Sequence, residues 1–175
     1  MDIFVINTSD ADYISPELLE KFRHKEFSNA DKLKEHCLSY LMLDRILKEV
    51  YKTENRKIIF VNKKPYLATR EKFFSLSHSG KYIVICFSDY ECGIDIEKIK
   101  NRNFNAISDR MNFRCSSLDE FYFEWTKYEA EYKMGEAVKS FKQIQFQDYA
   151  VTAVSNNIGE SFDIYIQNGE NFSNL

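Results

Sequence analysis

The chain has little proline and glycine, two and five in 175 residues, a single tryptophan and no sustained apolar run. No segment approaches the roughly 20 apolar residues that a membrane-spanning helix needs, and the opening residues MDIFVINTSDADY lack the basic flank and apolar stretch of a leader. The expectation is a cytoplasmic protein without a membrane partner. Four cysteines are present, Cys37, Cys86, Cys92 and Cys115, and none forms a C-x-x-C pair. Such spacing supports neither a zinc site nor a disulfide framework. Cys37 and Cys86 stand in apolar stretches and read as small core residues.

There is also no excess of positive charge. Lysine and arginine number 24 against 27 acidic residues, interspersed, for a net charge of -3. The basic stripe demanded by a phosphate backbone is missing, which argues against nucleic acid as a partner. What the chain does have is apolar material: 44% of residues are hydrophobic and 15% aromatic. That suffices for a core in one domain or two small fused lobes.

Along the chain, DIFVI reads as a first strand. Ser15 before Pro16 caps a helix over SPELLEKFRHKEF. A longer helix from about Lys32 to Tyr51 repeats Leu38, Leu41, Met42, Ile46 and Val50 at helical spacing, giving one apolar face. KIIFVN is a short strand, and Pro65 makes KKPYLA extended or turning. FFSLSHSG then ends in a turn that enters the apolar strand KYIVICFS. A helix over SLDEFYFEWTKYEAEYKMGE has Ser117 as its cap and Phe121, Trp125, Tyr128 and Tyr132 three or four apart. QIQF, DYAVTAVS and SFDIYIQ read as strands, with Asn156, Asn157 and Gly159 turning between the last two. The order is α+β.

Two patterns carry chemistry. In CGIDIEKIK the two-residue period of a strand sends Ile94 and Ile96 one way and Asp95 and Glu97 the other. The carboxylate-bearing Cα atoms then lie about 6.6 Å apart, close enough for both side chains to converge on one hard cation. The plainer reading is an edge strand with a wet acidic face. On the helix, Glu129 and Lys133 are one turn apart, an arrangement that by itself describes a surface ion pair.

Taken together, Phe74-Ser75-Leu76-Ser77-His78-Ser79-Gly80, Gly93-Ile94-Asp95-Ile96-Glu97-Lys98 and Trp125-Thr126-Lys127-Tyr128-Glu129-Ala130-Glu131-Tyr132-Lys133 resemble, in order and spacing, the motifs of the Sfp-type 4'-phosphopantetheinyl transferases. Lys64-Pro65 resembles that family's G-K-P segment, with Lys63 in place of the glycine. The likeness spans roughly residues 15 to 155.

The resemblance implies two similar α/β lobes related by a pseudo-twofold, residues 1–90 and 91–175, with a break near Asp89 to Gly93 and a coenzyme A cleft between them. No internal repeat is visible in the sequence. It implies that Asp95, Glu97 and Glu129 hold magnesium against the pyrophosphate of coenzyme A, and oxygen ligands of this kind suit that ion. Lys133 is then a catalytic cation facing the phosphates. Glu129 is the general base for the carrier serine, with a metal-bound water as the rival. Ser77 and His78 would contact the 3'-phosphate, and Lys64 and Pro65 would lie along the nucleotide. The implied reaction transfers 4'-phosphopantetheine from coenzyme A to a serine of an apo acyl or peptidyl carrier protein, releasing 3',5'-ADP, by a monomeric enzyme.

One departure stands out. Tyr128 occupies the place of a lysine or arginine, and Lys127 would point about 100° away around the helix. That change motivates a second expectation, a non-catalytic relative that binds coenzyme A or a carrier protein. A third is a metal-dependent phosphate-ester hydrolase built on the same carboxylates. His24 and His36 read as local hydrogen-bonding residues.

Overall fold

The computed structural model describes residues 1–8, 29–168 and 171–174. The helix expected from Ser15 to Phe27 lies outside these residues. The chain opens with β1 (Asp2–Asn7) and α1 (Ala30–Glu49). It continues through β2 (Ile58–Val61), β3 (Lys64–Leu67), β4 (Phe73–Ser79), β5 (Tyr82–Ser88) and β6 (Cys92–Lys98). Next come α2 (Asn105–Met111), α3 (Leu118–Met134), β7 (Ser140–Phe146), β8 (Tyr149–Ser155), β9 (Asp163–Asn168) and β10 (Asn171–Asn174). The architecture is α+β, as expected. No helix among the described residues is long and apolar enough to cross a membrane.

Five strands form one sheet in the order β10-β9-β1-β5-β4, and three form another in the order β6-β8-β7. β2 and β3 make a separate hairpin, turned by Asn62 and Lys63, both at positive φ. Strand alternation explains how these pieces stack. In β1 and β5, Phe4, Ile6, Ile83, Ile85 and Phe87 face α1 and pack on its Leu38, Leu43, Ile46 and Leu47. Ile3, Val5, Val84 and Cys86 face the other way, onto Ile94 and Ile96 of β6 and Val151 and Ala153 of β8. The outer face of the second sheet takes α3 through Ala130, Met134 and Val154. The layers therefore run helix, five-stranded sheet, three-stranded sheet, helix. The chain crosses from one sheet to the other at Asp89–Glu91 and returns at its end, where β9 pairs parallel with β1.

Several expectations about faces shift. The inward side of α1 carries Cys37, Leu38, Tyr40, Leu43, Ile46 and Leu47, whereas Leu41 and Met42 are half-buried and Val50 is exposed beyond the helix end. On α3 the core face is Phe121, Tyr122, Thr126, Ala130 and Met134, so the aromatic stripe is only partly inward and Tyr132 is 78% exposed. Ser117 caps this helix as expected, accepting the Glu120 N–H, and Gly135 closes it in the left-handed region. KKPYLA resolves as strand β3, and β10 follows what read as the last strand. Cys37, Cys86 and Cys92 are buried as small core residues, and Cys115 is half-buried.

Candidate active site

The acidic strand sits where three elements meet. β4 and β6 are edge strands of different sheets, and they abut. Ser75, Ser77 and Ser79 occupy alternate positions of β4 and turn their hydroxyls to β6. Ser75 Oγ accepts the N–H of Ile94 at 3.2 Å, and Ser79 Oγ accepts the N–H of Lys98 at 3.0 Å. Ser77 Oγ donates to Asp95 Oδ1 at 2.7 Å, and Ser79 Oγ to Glu97 Oε2 at 3.3 Å. From the third side, Lys133 Nζ of α3 donates to Asp95 Oδ1 at 2.7 Å and to the carbonyl of Ile94 at 3.2 Å.

α3 comes this close because residue 93 is glycine. A Cβ built there would stand 2.0 Å from the carbonyl oxygen of Ala130, a backbone atom that cannot rotate away. Direct packing of helix on strand brings the 129–133 turn over the carboxylates.

Asp95 is 5% exposed, and its Oδ2 is buried without a hydrogen-bond partner. That rules out the wet edge strand. The carboxyl of Glu97 is pushed above its usual value, first by burial and then by the negative charge of Asp95, with Glu129 adding to it; the Ser79 hydrogen bond and Lys133 pull the other way. Glu97 thus feels the charge of both Asp95 and Glu129. Among the described residues no three His, Cys, Asp or Glu side chains converge as a ready ligand set. In chemistry they nevertheless fit a hard cation: they are oxygen donors, like-charged and crowded, and one buried oxygen has no partner.

A groove of about 1050 Å³ opens beside this site, between the β2–β3 hairpin, β4 and the end of α3. Lys64, Pro65, Phe74, Tyr132, Lys133 and Gly135 are among its walls. Lys64 is committed to the frame: its Nζ lies 2.5 Å from Glu91 Oε2 and 2.7 Å from the carbonyl of Met134, tying the hairpin to the α3 C-terminus. Pro65 stands opposite Phe60 in the hairpin.

His78 is not in the turn. It lies within β4, and the strand period points it to the α1 side, where Nδ1 is 3.4 Å from Glu35 Oε2. Ser77 and His78 therefore do not sit side by side at one contact; Ser77 serves Asp95. Tyr128 packs against Phe113 and Trp125, each ring centroid 6.2 Å away, and is 42% exposed. Lys127 lies over the Phe141 ring, its Nζ 4.9 Å from the centroid.

The sequence reading missed Ser75, Ser79, Glu35 and Glu91. The serines did carry a signal, since S-x-S-x-S within a strand puts three hydroxyls on one face. Glu35 and Glu91 had none, because their partners lie far along the chain. No family model matches the chain, and no curated protein matches it.

Proposed function

We propose that the chain is a 4'-phosphopantetheinyl transferase of the Sfp type, moving the phosphopantetheine arm of coenzyme A to a serine of an apo acyl or peptidyl carrier protein. The observation that carries this reading is Asp95. A buried carboxylate with one unpartnered oxygen costs free energy, and the neighbouring Glu97 feels the negative charge of both Asp95 and Glu129. Such an arrangement has a use where a cation and phosphates meet. Its place beside the groove walled by Lys64, Pro65 and Lys133 supports the reading.

In this reading Asp95, Glu97 and Glu129 hold magnesium, which when bound supplies Lewis-acid neutralisation of charge on phosphoryl oxygens. The carrier serine oxygen forms a bond to the β-phosphorus, and the bond from that phosphorus to the oxygen of 3',5'-ADP breaks. Glu129 accepts the serine proton as this happens. Lys133, within reach of the groove, turns its ammonium to the phosphates. The lobes of this reading, residues 1–90 and 91–175, are related by a pseudo-twofold; a helix-backed sheet on each side supports it, although β9 and β10 of the second half complete the sheet of the first. The enzyme acts as a monomer in the cytoplasm.

A second reading, a non-catalytic coenzyme A or carrier-binding relative, is favoured by Tyr128, whose ring belongs to an aromatic cluster where a cation would serve the phosphates. Transfer activity separates the two. Glu129→Gln should lower it by orders of magnitude with the fold intact, and Glu131→Gln, on another helix face, should change it little. Equal activity in both would remove Glu129 from the chemistry.

A further inference from the structure

We infer that Ser79, with Ser77 on the same face of β4, is a positioning residue: its hydroxyl fixes the Glu97 carboxylate in the orientation that holds a divalent cation. This rests on the reading above of Asp95 and Glu97 as cation ligands.

The argument is one of hydrogen-bond capacity. A serine hydroxyl has a single proton to give. At Ser79 the backbone N–H of Lys98 approaches Oγ at 3.0 Å and uses it as acceptor, which leaves the proton directed to Glu97 Oε2 at 3.3 Å. Glu97 is thereby tied to the backbone of the residue that follows it, through one rigid side chain with a single χ angle. Ser77 donates to Asp95 with a 2.7 Å bond. Ser75 is the natural comparison. It makes the same kind of stitch, accepting the Ile94 N–H, and it holds no carboxylate. Ser75 and Ser79 join the backbone of two sheet edges where a ladder is missing, Ser77 and Ser79 each hold an acidic side chain, and Ser79 alone does both.

A merely architectural role and a positioning role then predict different things. Joining the edges makes Ser75 and Ser79 equivalent. Orienting ligands makes Ser79 special, because outer partners of metal ligands typically set affinity by about ten- to a hundredfold.

The experiment titrates the purified full chain with Mn2+, read by the electron paramagnetic resonance of the free ion, in wild type, Ser75→Ala, Ser79→Ala, Ser79→Cys and Ser79→Thr. The nearly isosteric cysteine, a weak donor, covers the case in which alanine fails to fold. Ser79→Ala and Ser79→Cys should weaken Mn2+ binding about tenfold or more. Their transfer kcat should drop while KM for the carrier stays put, and Ser79→Thr should restore both. Ser75→Ala should lower the melting temperature and leave Mn2+ affinity unchanged. Wild-type affinity in Ser79→Cys, or an equal loss in Ser75→Ala, overturns the inference alone. A wild-type protein that neither binds Mn2+ nor transfers overturns the reading beneath it.

Discussion

Lys133 leaves the last turn of α3 and reaches Asp95 on β6, its Nζ 2.7 Å from Oδ1, in preference to its helical neighbour Glu129. A pair spaced as a surface ion bridge is thus redirected into a junction between helix and strand. Lys133→Met removes the charge and keeps the aliphatic stem, leaving Asp95 buried with Ser77 as its remaining side-chain donor. The expected loss is about 1–3 kcal/mol in denaturant unfolding, together with loss of transfer. Unchanged stability would mean that the bridge does not hold the junction.

Lys64 and Glu91 form the second junction, joining the β2–β3 hairpin to the strand and helix behind it. Lys64→Met and Glu91→Gln should each destabilise the fold. A double-mutant cycle should return a coupling of at least about 0.5 kcal/mol, since the two groups touch and are largely buried. Strict additivity would show that the pair does not hold this junction.

Gly93 and Gly135 separate two uses of glycine. Alanine at 93 collides with the Ala130 carbonyl, and at 135 it meets nothing within 4 Å but keeps a φ of 77°. Gly135→Ala should cost about 1–2 kcal/mol from backbone conformation alone. Gly93→Ala should cost more, about 3 kcal/mol or above, because the helix must lift from the strand. Melting curves of the pair test the order; the reverse order would deny the close packing.

Glu97 has an opposite stability signature. Burial and its acidic neighbours raise its pKa in the folded chain, so the folded state binds the proton more tightly than the unfolded state does. Stability therefore falls as pH rises from the ordinary carboxylate range through that raised value, and the penalty is complete above it. Glu97→Gln removes it. Measured with a chelator present, the variant should be more stable than wild type near neutral pH, and the gain should vanish near pH ~4. A variant less stable at neutral pH would contradict the crowding.

Much of this was legible in the residues. The period of β6 alone separated Ile94 and Ile96, which lie in the core between the sheets, from Asp95 and Glu97 on the opposite face, and Ser117 marked the start of α3. The inward face of α3 was not, because its aromatics outnumber what the core can take and the choice falls to packing on Gly93 and Ala150. His78 was misread because a two-residue turn, Gly80–Lys81 with Gly80 at positive φ, suffices to reverse the chain, which lets the strand run on to Ser79. The Lys64–Glu91 pair joins residues 27 apart, and the edge-to-edge seam of β4 and β6 depends on how two sheets stack. Neither leaves a local pattern.

The central claim is transfer, and the most direct measurement is mass spectrometry of apo acyl and peptidyl carrier proteins incubated with the purified protein, coenzyme A and magnesium, with a chelated control. The account predicts a gain of about 340 Da on the carrier, the phosphopantetheinyl mass expected of a covalent transfer, and its loss when magnesium is chelated. Carriers of unchanged mass, with coenzyme A still bound by the protein, would contradict it.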